Sequence, residues 1–307
     1  MKEKRITERV SVQEFAKKNG LEVLFPGRGY LELSDISVSR PGLQLAGFFD
    51  NFAAHRVQVI GNAEYDFLYD MSPEKRKTSI DKLLQYTAIP CVIFSRDLPP
   101  FPEMIDAVKR SDVPLFSGNK ITSLLMNDLI VYLNRLLAPT TSMHGVLVDV
   151  YGVGILLTGH SGIGKSETAL ELIKRGHRLV ADDAVYIKQI NDELIGSSND
   201  MIRYFMEIRG IGIINVKNMY GTGAVLFEKE IELIMELENW DDQKSYDRLS
   251  AGTLTETILG ISIPKLVIPV HPGRNLAVII EVAARNHRLK KMGYDAAEEL
   301  ISRTLKQ

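Results

Sequence analysis

The sequence predicts an α/β protein of two domains, residues 1–138 and 139–307, and three observations carry that reading. In the first half, short apolar strand-like runs alternate with helical patterns, the order that builds a parallel sheet. In the second half a glycine-rich loop stands between a strand-like run and a helical one. The length of 307 residues, with 45% hydrophobic and 25% charged residues, is enough chain for two ordinary globular cores.

The amino-terminal half reads as follows. Val12, Phe15 and Ala16 share a helical face that Gly20 closes, and Leu21 to Leu33 reads as strand and turn around Pro26 and Gly27. Arg56 to Ile60 is strand-like, Ser72 and Pro73 open a helix carrying Ile80, Leu83 and Leu84, and Ile89 to Phe94 is a more buried strand. Phe101 to Arg110 reads as a helix and Val113 to Phe116 as a short strand. Ile121, Leu124, Leu125, Leu129, Leu133 and Leu136 recur at three and four residues, so Asn119 to Leu137 is a helix that Pro139 ends, and the domain boundary falls there. Nothing in this half has catalytic spacing. His55 beside Arg56 reads as a solvated pair, and the domain is regulatory or assembly-related by default.

The second half carries the chemistry. Val146 to Leu157 holds two apolar runs around Tyr151 and Gly152, a hairpin with His144 at its start. It feeds Gly159, His160, Ser161, Gly162, Ile163, Gly164, Lys165 and Ser166, which fit G-x-x-x-x-G-K-[ST] at every defined position. Glycines let backbone N–H groups wrap phosphate oxygens, Lys165 supplies a mobile charge for the outer phosphates, and Ser166 offers its hydroxyl to Mg²⁺. Gly154 to Thr158 enters the loop as a strand; Lys165 to Arg175 leaves it as a helix stopped by Gly176.

Beyond that helix, His177 to Lys188 is a strand interrupted by Asp182 and Asp183. Neighbours on a strand face opposite sides, so both serve one site only where the strand ends or twists. In phosphate-loop enzymes one such carboxylate holds Mg²⁺ or its water and one takes the proton of an attacking hydroxyl. Met206 to Asn215 alternates Glu207 and Arg209 with apolar residues around Gly210 and Gly212, and reads as a charged loop. Ile231 to Glu238 reads as a half-buried strand, Trp240 to Arg248 as a polar segment, and Lys265 to Ile268 as a strand. Pro269 to Arg274 reads as a rigid turn with an exposed cation. Helices follow at Leu276, Ile279, Ile280 and Ala283 and at Ala296 to Leu305, with Arg285, Arg288, Lys290, Lys291 and Glu298 on a solvated face.

Composition removes several classes. A net charge of -2 and a pI near 6.3 give no bulk attraction to nucleic acid or an anionic membrane. The single cysteine, Cys91, forms no internal disulfide and reads as a buried inert thiol. Met1 to Arg9 lacks the apolar core of a signal peptide, and no apolar run approaches the ~18 residues of a membrane span. The expected location is the cytoplasm. On these residues alone a small-molecule kinase and a non-catalytic ATP-sensing module stay open.

The phosphate loop, Asp182 with Asp183, the run Met206, Glu207, Ile208, Arg209, Gly210, Ile211, Gly212, Ile213, Ile214, Asn215, and Pro272, Gly273, Arg274, Asn275 together resemble the bacterial HPr kinase/phosphorylase family over essentially the whole chain. The 206–215 run is the most specific of them and, by the resemblance, is the family's signature for both activities. The resemblance implies a cytoplasmic enzyme of carbon catabolite repression that phosphorylates a serine of the phosphocarrier HPr with ATP and Mg²⁺. It also implies removal of that phosphate by phosphorolysis, with inorganic phosphate consumed and pyrophosphate released. It implies a catalytic phosphate-loop domain resembling phosphoenolpyruvate carboxykinase, a homohexamer and a sugar bisphosphate effector.

By the same resemblance, Gly159 to Ser166 hold ATP, Ser166 and Glu207 lie on the Mg²⁺ side, Asp183 is the proton acceptor and Lys165 serves catalysis. His144 orients or tunes Asp183, a role that calls for burial of that carboxyl or a neighbouring charge. Arg248 neutralises developing phosphate charge. Pro269, Val270, His271, Pro272, Gly273 and Arg274 match the dephosphorylation segment. One departure is visible: His271 stands where the family pattern leads to Lys or Arg, which makes phosphorolysis weaker or pH-dependent if that cation matters.

Overall fold

A computed structural model describes residues 7–241, 254–271 and 273–304 and divides the chain into two compact units, Met1–Ala138 and Pro139–Gln307. In the first, β1 (Glu8–Ser11) leads into α1 (Val12–Asn19), and β2 (Glu22–Phe25), β3 (Tyr30–Leu33), β4 (Val38–Ser39) and α2 (Gly42–Leu45) follow. Then come β5 (Val57–Ile60), α3 (Asn62–Tyr69), α4 (Pro73–Leu84), β6 (Val92–Phe94), α5 (Pro102–Ser111), β7 (Leu115–Ser117) and α6 (Thr122–Leu136). Strands β4 to β7 pair in parallel, and β2 closes the sheet antiparallel in the order β2-β7-β6-β5-β4.

Alternation along these strands fixes the layers. Ile93 packs with Phe15 of α1 and Leu125, Leu129 and Leu133 of α6, while Val92 and Phe94 pack with Ile80 and Leu83 of α4 and Met104 of α5. The helix signals act as the residues suggest. The Ser72 hydroxyl accepts from Lys75 N–H to start α4, and Gly20, at φ 64, ends α1 by donating to the Ala16 carbonyl.

Two readings change. Pro90 has no N–H for the ladder, so β6 begins only at Val92 although Ile89 and Cys91 are fully buried beside it. His55 and Arg56 are not simply solvated: they converge on Asp35 at 3.0 and 2.9 Å. Burial opposes ionisation of Asp35, but hydrogen bonds from Ser37, Arg56 and His55 prevail and hold its carboxyl down to about 2.

The second unit contains β8 (Thr140–His144), β9 (Val146–Val150), β10 (Val153–Gly159), α7 (Lys165–Lys174), β11 (Arg178–Ala181), β12 (Ala184–Ile190) and β13 (Glu193–Ser197). They are followed by β14 (Phe205–Ile208), β15 (Gly212–Asn215), α8 (Val216–Tyr220), β16 (Glu228–Glu230) and β17 (Leu233–Asn239). The last elements are β18 (Leu254–Ile258), β19 (Ile261–Val270), α9 (Leu276–Lys291) and α10 (Ala296–Thr304). A six-stranded mixed sheet, β11-β9-β10-β17-β19-β18, packs one face on α7 and α9 and the other on a four-stranded sheet, β16-β13-β12-β8. Ile155 and Leu157 of β10 point to the helices, whereas Leu156 points to the second sheet.

Several elements differ from the pattern reading. Residues 206–215 are a hairpin, β14 against β15, because Met206 and Ile208 alternate into the core under α7. Strand β17 is a buried central strand rather than a half-buried one. Pro269 and Val270 finish β19 instead of opening a turn. The basic residues of α9 are engaged: Lys291 pairs with Glu232 at 2.6 Å, Lys290 with Asp295 at 2.9 Å, and Arg288 donates to the Tyr151 carbonyl at 3.0 Å. Among the described residues no helix is long and apolar enough to cross a membrane.

Candidate active site

Strand direction brings the candidate residues to one edge of the six-stranded sheet. Strands β10, β17 and β19 run parallel, with Gly159 opposite Leu237 and Leu237 opposite Ile268. Strand β9 is antiparallel to both β10 and β11, so β11 ends, and β9 begins, at that same edge. In open α/β sheets the crevice outside the carboxyl ends of strands is where ligands bind. The glycine-rich loop leaves β10 there, Asp182 and Asp183 follow β11, and His144 precedes β9. Pro269 lies two strand spacings from the loop, about 10 Å along the edge.

The chain also changes sheets at this point, twice. It passes from β8 to β9 at Gly145, where a Cβ would stand 2.6 Å from the Leu157 carbonyl oxygen, and from β11 to β12 at the two aspartates. Gly145 N–H donates to the Asp183 carbonyl at 3.0 Å, and Ala184 pairs with His144. Asp183 takes φ 65, a left-handed conformation uncommon outside glycine though tolerated by Asp. That turn separates the pair: Asp182 faces inward at 7% exposure, and Asp183 faces the cleft.

Asp182 ties three segments together. Its Oδ1 accepts from the Ser166 hydroxyl at 2.8 Å and its Oδ2 from Glu207 N–H at 3.1 Å. Burial pushes its carboxyl above the ordinary range, against the pull of these two bonds. Asp183 meets His144 Nδ1 at 3.0 Å, with side-chain exposures of 76% and 53%. So the carboxyl named as proton acceptor has a histidine partner but not the burial, which falls to Asp182 instead.

Lys165 is buried at the foot of the loop, donating to the Gly159 and His160 carbonyls at 2.9 and 3.1 Å. Burial lowers its ammonium below the ordinary range, while Asp183 and Asp182 pull it back. Glu207 and Arg209 of the hairpin line the same cleft with His144, Ser161, Gly162 and Ser166. Arg274 turns back to the Pro269 carbonyl at 3.2 Å, and the His271 ring meets Trp240 edge-on at 5.9 Å. Arg248 and Pro272 lie outside the described residues.

Two participants were named from the sequence without a role of their own. Asp182 was half of an ambiguous pair, and only the sheet crossing decides which carboxylate is buried. Arg209 reaches back to the loop, its Nη2 at 3.4 Å from Ser161 Oγ, a long-range contact that no local pattern displays.

Fold and cleft define a two-domain α/β protein with a glycine-rich loop beside carboxylates. Residues 135–304 match the family described as HPr Serine kinase C-terminal domain, and residues 10–133 match HPr Serine kinase N terminus. The chain belongs to the HPr serine kinase family. It is 50% identical over 302 residues to the HPr kinase/phosphorylase of Caldanaerobacter subterraneus, covering 98% of this chain and 99% of that one. It is 48% identical over 297 residues to that of Geobacillus thermodenitrificans, covering 96% of each. The solved Hpr(Ser) kinase/phosphatase from Coxiella burnetii is 42% identical, with a TM-score of 0.47, over 52% of this chain and 98% of that chain.

Proposed function

We propose that this chain is a bifunctional HPr kinase/phosphorylase that transfers phosphate from ATP to a serine of HPr and removes it by phosphorolysis. The observation that carries the reading is the meeting of the glycine loop, the Ser166–Asp182–Glu207 chain and the Asp183–His144 pair at one sheet edge, in a member of this family. Its catalytic domain is a phosphate-loop kinase domain resembling phosphoenolpyruvate carboxykinase.

Mg²⁺ fits the donors present. Among the described residues no three His, Cys, Asp or Glu side chains form a metal cage, and Mg²⁺ is commonly held by one or two protein oxygens with substrate phosphates completing the shell. Ser166 and Glu207 would hold it, with Asp182 orienting the Ser166 hydroxyl. When bound it neutralises charge on the phosphates.

In the forward direction the acceptor serine loses its proton to Asp183 as its oxygen bonds to the γ-phosphorus and the bond to the β-phosphate oxygen breaks, releasing ADP. In reverse, a phosphate oxygen bonds to the phosphoserine phosphorus, the serine P–O bond breaks with a proton returned from Asp183, and pyrophosphate leaves. His144 aligns the carboxylate, and Lys165 releases the loop carbonyls to meet the phosphates. Arg248 neutralises transition-state charge, and Pro269 to Arg274 serve the reverse step. Full-length HPr incubated with ATP and Mg²⁺, and phospho-HPr with inorganic phosphate, test this; an unlabelled HPr and no pyrophosphate refute it.

The amino-terminal domain, 1–138, serves regulation or assembly of a cytoplasmic homohexamer that responds to a sugar bisphosphate; family likeness supports this part. Light scattering with and without effector tests it. If the cation at position 271 matters, phosphorolysis is weaker or pH-dependent here, and identical profiles for His271→Arg and wild type between about pH 6 and 8 would remove that role.

A further inference from the structure

The Ala184 N–H donates to the Asp182 carbonyl at 2.9 Å, a bond between residues two apart, and Asp183 between them takes φ 65. A three-residue turn closed in this way, with positive φ at its centre, belongs to the rare and strained kind. Such a backbone persists only where its surroundings over-determine it. On one side Asp182 is tied by the Ser166 hydroxyl and the Glu207 N–H. On the other, two successive residues at the β8–β9 corner take residue 183 by both its ends. His144 Nδ1 meets its carboxylate at 3.0 Å, and Gly145 N–H donates to its carbonyl at 3.0 Å.

Gly145 also fixes where that corner stands. It is buried, and a Cβ on it would lie 2.6 Å from the Leu157 carbonyl oxygen and 3.3 Å from Leu156 Cδ1. Its φ is not positive, so the close approach, and not the backbone conformation, calls for glycine. Leu157 stands on β10 two residues before the loop begins at Gly159, and β10 is paired on both sides, with β9 and β17. The missing side chain therefore sets how closely the Asp183 turn approaches the strand that delivers the loop.

We propose that Gly145 is a positioning residue for the proton acceptor: its N–H and its lack of a side chain hold Asp183 at the apex of the strained turn, with the carboxylate against His144. The inference rests on the function proposed above and adds a backbone clamp to its proton acceptor. A turn released from the clamp relaxes toward extended backbone, which reorients the Cα–Cβ bond of residue 183 and carries the carboxylate off His144. A side chain at position 145 acts in the same direction, because it pushes the corner away from β10 while the pairing on both sides of β10 keeps the loop in place. Phosphate binding and proton transfer are thereby separable: the loop depends on β10, the acceptor on the corner.

The test uses the full chain, with HPr phosphorylation and phosphorolysis as rates and pyrophosphate as the probe in titration calorimetry. Displacement of a catalytic group by about 1 Å costs on the order of 100-fold in rate, so Gly145→Ala should lose about 10- to 100-fold in kcat while its pyrophosphate affinity stays within about threefold of wild type. Wild-type kcat in Gly145→Ala overturns the assignment. So does a loss of pyrophosphate affinity that matches the loss of kcat, which would make the glycine a support of the loop alone. Asp183→Gly and Asp183→Ala test the turn independently of Gly145, because both lack the carboxylate and differ only in backbone. At an ordinary position alanine is the more stable of the two, whereas at left-handed φ the order reverses. Asp183→Gly should therefore melt about 2–4 °C above Asp183→Ala; an equal or lower Tm overturns the clamp, and this comparison decides if Gly145→Ala does not fold. A wild-type chain that binds pyrophosphate but never labels HPr refutes the proposed function and leaves the melting order of the two Asp183 variants as the test of the turn.

Discussion

Ser166→Ala separates the architecture of the site from its chemistry. The Ser166 hydroxyl donates at 2.8 Å to Oδ1 of a carboxylate that is 7% exposed and already pushed toward protonation by burial. Removing a hydrogen bond to a charged group costs about 1.5–3 kcal/mol, and proton uptake by Asp182 relieves part of it, so the lower end is expected. For a domain of this size each kcal/mol moves Tm by about 2–4 °C, so calorimetry of the Mg²⁺-free protein should show a drop of roughly 3–6 °C. The Mg²⁺ concentration for half-maximal HPr phosphorylation should rise at least ~10- to 100-fold, the range seen when groups around a metal are removed. Ser166→Thr keeps the hydroxyl and should recover most of both. An alanine variant with wild-type Tm and wild-type Mg²⁺ dependence refutes the chain from Ser166 through Asp182 to the hairpin.

Three further outcomes follow from the geometry. Gly159→Ala places a Cβ 2.4 Å from the Leu237 carbonyl at φ 132, a region that costs about 1–3 kcal/mol of strain; its melting temperature should fall and its KM for ATP rise, and a variant matching wild type in both contradicts the close β10–β17 approach. Asp35, held down to about 2 by Ser37, Arg56 and His55, contributes stability that is whole above the unfolded carboxyl pKa and is lost as pH falls toward the folded value. Allowing for screening at partners as exposed as Arg56, Asp35→Asn should cost about 1–2 kcal/mol near pH 6, with the gap in urea midpoints to wild type narrowing below about pH 4; a gap independent of pH would refute it. Cys91 is fully buried and burial raises its thiol well above the usual range, so Ellman's reagent should label it only as fast as the chain unfolds.

Legibility from sequence divided along physical lines. The loop from Gly159 to Ser166 was readable because its defined positions, Gly159, Gly164, Lys165 and Ser166, form a local pattern that needs no distant partner. The hairpin before it was readable because Tyr151 and Gly152, both at positive φ, separate two apolar runs. What sequence could not display is long-range pairing. Asp182 is buried and Asp183 exposed because the chain changes sheets between β11 and β12, and the N–H that fixes Asp182 comes from Glu207, 25 residues away. The β14–β15 hairpin was read as a loop since Gly210 and Gly212 dominate its composition; its strand character depends on Met206 and Ile208 finding the core below α7. In the amino-terminal unit, α3 went unread because its buried side is only Glu64 and Leu68, too thin a stripe to show a period, and its start depends on the Glu64 carboxylate accepting Gly61 N–H at 3.0 Å.

The central claim is that one carboxylate, Asp183, moves the serine proton in both directions at a loop that binds phosphate without it. The direct measurement is Asp183→Asn assayed on HPr with ATP and on phospho-HPr with inorganic phosphate, beside pyrophosphate binding by calorimetry. Both rates should fall by roughly 10²–10⁴ while pyrophosphate affinity stays within about twofold of wild type. Undiminished transfer in either direction would contradict the account.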